Sequence, residues 1–148
     1  MQTISIAIYF EIRNKDVIIV PVLRHEAGFG ITSKQYIKLS EGYTIEELSI
    51  AIMDSLEKSK ENDLVHTGDA WKEASGKKSY PKFTKKYNVI RVCYLTEWDY
   101  YEVSKDRRFK DGSYGLEKED LETRVKKYPG RPSVETIGEQ VLEALKIE

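Results

Sequence analysis

Apolar and other residues alternate from Thr3 to Ile12, placing Ile4, Ile6, Ile8, Phe10 and Ile12 on one face of a half-buried strand. Asn14-Lys15-Asp16 supplies turn chemistry, and Val17 to Leu23 then reads as the second strand of a hairpin. Pro21 has no N–H to donate, which directs that strand to a sheet edge or a bulge. Gly28-Phe29-Gly30 punctuates the chain, and Ile31 to Leu39 provides one or two short strands. From Thr44 the period changes to that of a helix. Ile45, Leu48, Ile52 and Leu56 form one stripe, each worth roughly 1.5–3 kcal/mol if fully buried. Thr44 and Glu47 have the spacing of a capping box.

The chain then repeats this order. Asn88 to Leu95 predicts a strand, Trp98 to Val103 another, Asp111-Gly112 a turn, and Leu121, Thr123 and Val125 a last short strand. Laying Thr44 on Ser133 without a gap also lays Leu48 on Ile137, Ile52 on Val141, Met53 on Leu142 and Leu56 on Leu145. A second helix capped by Ser133 follows. Isolated helices of about 14 residues are marginal in water, so both stripes need a sheet to lie on. The prediction is an α+β fold: a duplicated strands-then-helix unit, with two antiparallel sheets and two packed helices. It forms a single domain, 1–148, with halves at about 1–60 and 87–148 and a weakly periodic connector at 61–86.

Composition adds constraints rather than chemistry. Hydrophobic residues make up 40% and charged residues 33%, a globular balance, and the net charge of −1 excludes a simple polycation. One cysteine, Cys93, leaves no internal disulfide and is expected to be a small buried core side chain. No apolar run is long enough for a membrane span, and Glu11 interrupts any signal-peptide reading, so a cytoplasmic location is expected. With only His25 and His66 beside that cysteine, neither a zinc site nor a Cys-His dyad assembles from this pattern. No catalytic residues, metal or cofactor are expected. His25 and Glu26 beside the glycine turn are the whole sequence support for an enzyme.

Charge is unevenly placed. Eight acidic residues face two lysines between Glu41 and Asp69, whereas seven basic residues face one glutamate between Lys72 and Arg91. Two binding surfaces follow as candidates. Trp98, Asp99, Tyr100, Tyr101 and Glu102 combine aromatic anchors with carboxylates, as protein interfaces do, with acidic support from Glu41, Asp63 and Asp69. Alternatively, Lys77, Lys78, Tyr80, Lys82, Phe83, Lys85 and Lys86 interleave rings and lysines, the composition of a single-stranded nucleic-acid surface. The bland counterpart is a solvated loop that Tyr80 and Phe83 pin to the core.

Three stretches, GYTIEELSIAIMDSLEKS, WKEASGKKSYPKFTKK and SVETIGEQVLEAL, resemble the CdiI-type immunity proteins of contact-dependent growth inhibition. The family typically has glycine where this chain has Ser49, and Gly138 keeps it in the second copy. The resemblance implies a Whirly-like fold of two four-stranded sheets and two helices. It also implies a stoichiometric inhibitor of a cognate CdiA-type toxin C-terminal domain, often a nuclease. In one branch a toxin hairpin pairs with the immunity protein backbone to backbone. No binding residue carries over by motif.

Overall fold

The computed structural model describes residues 3–24, 30–32, 35–60 and 70–148. Strands β1 (Thr3–Glu11) and β2 (Val17–Arg24) form the expected hairpin, in register Ile8↔Ile19. Its turn is held by the Asn14 carboxamide, whose oxygen accepts from the Asp16 N–H at 3.0 Å. Short strands β3 (Gly30–Thr32) and β4 (Ile37–Leu39) both pair with the outer side of β2. Pro21 therefore sits in an interior strand, not an edge strand. It is tolerated because β4 pairs with Val17–Ile19 and β3 with Val22–Arg24, leaving Pro21 opposite the break between them.

Helix α1 (Ile45–Lys58) begins at the Thr44 cap, with both capping-box hydrogen bonds made, at 3.0 and 3.1 Å. The described part of the connector, 70–86, is more regular than its composition suggests. It carries α2 (Ala70–Ser75) and α3 (Tyr80–Thr84), which lie against the sheet. Then come β5 (Tyr87–Leu95), β6 (Tyr100–Lys105), a two-strand ribbon of β7 (Arg107–Arg108) and β8 (Tyr114–Gly115), helix α4 (Asp120–Thr123), β9 (Val125–Pro129) and α5 (Ile137–Leu145).

These elements give an α+β protein with a large antiparallel sheet of seven strands and the small β7–β8 sheet. In the large sheet, β3 and β4 lie along the outer side of β2, followed by β1, β5, β6 and β9. Strands β1 and β5 pair antiparallel over their whole length, from Thr3↔Leu95 to Glu11↔Tyr87. The strands of the two units thus form one continuous sheet, not two separate four-stranded ones.

On one face of that sheet Leu48, Ile52 and Leu56 of α1 and Ile137, Val141 and Ala144 of α5 pack on Ile4, Ile6, Ile8, Phe10, Ile90 and Val92. On the other face α2 and α3 cover Ala7, Tyr9, Ile18, Val20 and Val89, with Phe83 fully buried at the centre. Cys93 is only half-buried. Its partners in register are Ser5 and Glu102, on the face away from the two long helices.

Three local expectations give way to stronger interactions. Ile45, at the first turn of α1, is 47% exposed and lies outside the buried stripe. Helix α5 starts at Ile137, not just after Ser133. The Ser133 carbonyl accepts the Ile137 N–H at 3.0 Å while its hydroxyl meets that of Thr136 at 3.1 Å. The alternating Leu121 and Thr123 belong to α4, and Leu121 is exposed. The buried Asp120 carboxylate accepts from the Glu117 N–H and from Arg107, winding a helical turn where alternation suggested a strand. Among the described residues no helix is long and apolar enough to cross a membrane.

Candidate partner-binding surface

The two ends of the large sheet are chemically different. At the Thr3 and Leu95 end, the β5–β6 turn is tight: the N–H groups of Trp98 and Asp99 both donate to the Leu95 carbonyl, at 3.2 and 3.0 Å. Trp98 and Asp99 are therefore turn residues, and the strand begins at Tyr100. Asp99 takes a left-handed φ of 51°, and its carbonyl accepts the Gly130 N–H at 2.8 Å. Its carboxylate accepts the Tyr94 hydroxyl at 2.6 Å, which raises Tyr94 above the usual tyrosine value. This corner ties the β5–β6 turn to the loop between β9 and α5.

Trp98 is 59% exposed, and its ring lies parallel to that of Tyr100, 4° apart with centroids at 6.3 Å. The Lys127 ammonium stands 5.6 Å from the centre of the Tyr100 ring. Glu102 faces Lys127 across the β6–β9 pair. Tyr100 and Glu102 point to the sheet face opposite α1 and α5, and the apolar cluster under α2 and α3 contains no residue of β6 or β9. A half-open aromatic platform flanked by charges results, with the exposed Trp98 at its end.

Other predicted residues are placed elsewhere. Tyr101 is core: 3% exposed, stacked on Tyr128 at 5.2 Å, and donating to the Gln140 carboxamide oxygen at 2.5 Å. Period two in a strand sends neighbours to opposite faces, so Tyr100 and Tyr101 could not both be surface anchors. Glu41 is exposed, but its N–H donates to Asp16 at the β1–β2 turn, at the Glu11 end of the sheet. Strand β1, nine residues long, separates it from Trp98, so it does not belong to the same surface. Asp63 and Asp69 lie outside the described residues, as do His25, Glu26, Gly28 and His66.

The basic stretch divides. Lys78, Lys82, Lys85 and Lys86 are exposed and Lys77 partly so, but Phe83 is fully buried, stacked on Tyr87 at 4.5 Å. Tyr80 is half-buried against Trp71 at 5.2 Å. The rings that were to stack on bases hold the second layer to the sheet instead. Burial also pushes the nearby Tyr9 hydroxyl up to about 12. Among the described residues no three His, Cys, Asp or Glu side chains are grouped to hold a metal ion.

A cleft that the sequence did not announce opens on the helix side of the same corner. It measures about 180 Å³, with Ile4, Met53, Leu56, Tyr94 and Pro132 as its apolar walls. Glu57, Lys60 and Arg131 stand at its rim, the Arg131 guanidinium 5.9 Å from the centre of the Tyr94 ring. In the sequence Pro129-Gly130-Arg131-Pro132 reads only as a chain break. Its contact with Tyr94 depends on the Gly130–Asp99 bond, which carries no sequence signature.

No protein-family model and no curated protein matches the chain. Solved structures do match in fold. A chain of the CdiA-CT/CdiI toxin and immunity complex from Yersinia pseudotuberculosis superposes with a TM-score of 0.71 at 13% identity, over 98% of this chain and 97% of that one. A protein of unknown function from Neisseria meningitidis superposes with a TM-score of 0.66 at 12% identity, over 97% and 94%.

Proposed function

We propose that this chain is a cytoplasmic immunity protein that binds a CdiA-type toxin C-terminal domain and neutralises it by occupancy rather than by turnover. The observation that carries this reading is the end-to-end fold likeness to a chain of a toxin and immunity complex. The exposed Trp98–Tyr100 pair agrees with it, because large aromatic side chains left in solvent cost hydrophobic free energy until a partner covers them. The toxin is a nuclease with a basic surface. Glu46, Glu47 and Asp54 of α1 and Glu139 of α5 are all exposed, which would steer such a partner in.

The test is co-expression with the variable C-terminal domain of a large secreted protein encoded beside this gene. A one-to-one complex, and rescue of growth from the toxin domain, are the expected results. A neighbouring toxin domain that neither co-purifies nor loses toxicity would remove the reading.

A further inference from the structure

The cleft beside Arg131 has the dimensions of a single side chain. Cavities of about 150 Å³ lined by Leu, Ile and Phe hold a benzene ring, and this cleft measures about 180 Å³ with Ile4, Leu56 and Tyr94 as walls. The walls are already fixed by the fold. Ile4 is 6%, Leu56 4% and Tyr94 7% exposed, and the Tyr94 hydroxyl is held by Asp99. A ring entering it would meet preformed apolar surface.

The rim sets the charge of the occupant. Glu57 is neutralised by Lys60 at 2.8 Å, and the Asp99 carboxylate is engaged by Tyr94. Arg131 is exposed and makes no ion pair among the described residues; it lies against the Tyr94 ring and hydrogen-bonds the Tyr94 side chain, a neutral partner. It leaves one uncompensated guanidinium, whose planar fork suits a carboxylate. From these features we infer that the cleft receives one aromatic side chain of a partner protein, with an adjacent carboxylate pairing with Arg131. This rests on the partner-binding reading above and adds a second contact to the Trp98–Tyr100 platform, on the other side of the same turn.

The probe is a capped dipeptide, N-acetyl-Phe-Asp-amide, titrated into the 15N-labelled protein and followed by amide shifts. Shifts concentrated at Leu56, Tyr94 and Arg131 are expected, with N-acetyl-Phe-Asn-amide binding roughly two- to fivefold more weakly, the size of one half-exposed ion pair. Arg131→Gln should reduce Phe-Asp binding to the Phe-Asn level and leave Phe-Asn binding unchanged. Met53→Trp, which fills the cleft, should abolish both. Equal binding of the two peptides, or shifts confined to other surfaces, would overturn the inference, and the surface substitution at Arg131 keeps the test valid should Met53→Trp not fold. With the toxin domain as titrant, unchanged affinity of folded Met53→Trp alongside a loss for Trp98→Ala would sink the cleft while sparing the immunity role. A toxin domain that binds neither wild type nor variant removes the immunity role, and the peptide titration still decides the cleft.

Discussion

The Ser49 hydroxyl of α1 accepts the backbone N–H of Gly138 in α5 at 2.9 Å, joining two positions 89 residues apart that the internal repeat makes equivalent. The two helices therefore touch at matching points, as copies related by a twofold axis do. Gly138 is the second residue of α5, whose own cap, Thr136, makes no side-chain hydrogen bond to the N–H groups of the first turn. One orphan donor of the first turn is thus satisfied from the other helix. The serine hydroxyl at 49 supplies this acceptor.

Ser49→Ala should cost about 1–3 kcal/mol, the penalty for leaving a buried N–H unmet. Gly138→Ala gains about 1 kcal/mol of helix propensity. Its added Cβ would nevertheless lie 2.8 Å from the Ile45 carbonyl oxygen and press on the Ser49 hydroxyl, so the net effect is destabilising. Urea midpoints of the two variants, with circular dichroism to confirm the fold, measure both signs.

Trp98→Ala with Tyr100→Ala should weaken toxin-domain binding at least tenfold, about 1.4 kcal/mol or more, and leave the urea midpoint nearly unchanged. Tyr101→Ala is the contrasting control. It empties a core site under α5 and should cost about 3–5 kcal/mol of stability. Calorimetric titration beside urea melts separates the two effects. An unchanged affinity in the double variant would move the interface elsewhere.

The architecture was legible where the period was clean. Ile4 to Phe10 and Leu48 to Leu56 needed only their own spacing, because burial on one face fixes both element and orientation. The site was less legible. Which of Tyr100 and Tyr101 faces solvent depends on where β6 starts, and the left-handed Asp99 sets that by ending the turn one residue before Tyr100. The buried Phe83 and the cleft at Arg131 both arise from contacts between segments remote in sequence, and no local pattern encodes those. Pro21 shows the opposite case: the rule about edges was sound, but a break in a neighbouring strand satisfies it as well as an edge does.

The alternative surface makes a separate prediction. With Phe83 buried and Tyr80 half-buried against Trp71, the exposed Lys78, Lys82, Lys85 and Lys86 have no exposed ring beside them among the described residues on which a base can stack. A labelled single-stranded oligonucleotide at low salt should show no saturable fluorescence anisotropy change. Tight binding that falls steeply with salt would restore a nucleic-acid role.

Acid should probe the ribbon. The Asp120 carboxyl is lowered to about 2, first by its hydrogen bonds with Arg107 and then by the Glu117 N–H. A carboxyl lowered in the folded state contributes stability that is present above its unfolded value near 3.8 and lost as pH falls through about 2. Urea midpoints of wild type should therefore decline over that window. Asp120→Asn should be less stable at neutral pH and decline less steeply.

The far end of α5 rests on two buried cations. Lys105 is 8% exposed and donates to the carbonyls of Leu145, at 3.0 Å, and Ile147, while Arg124 donates to those of Lys105 at 3.0 Å and Glu148 at 2.5 Å. Carbonyls at a helix C-terminus have no partner within the helix, and a cation there also meets the negative end of its dipole. Lys105→Met keeps the apolar stem and removes the donor. It should cost about 1–3 kcal/mol, because the half-buried carbonyls lose their partner. Hydrogen exchange at the Lys146 and Ile147 amides, which bond back to Glu143 and Ala144, should accelerate more than exchange at Val141. If those amides keep their protection while global stability falls, the ammonium serves the sheet and not the helix end.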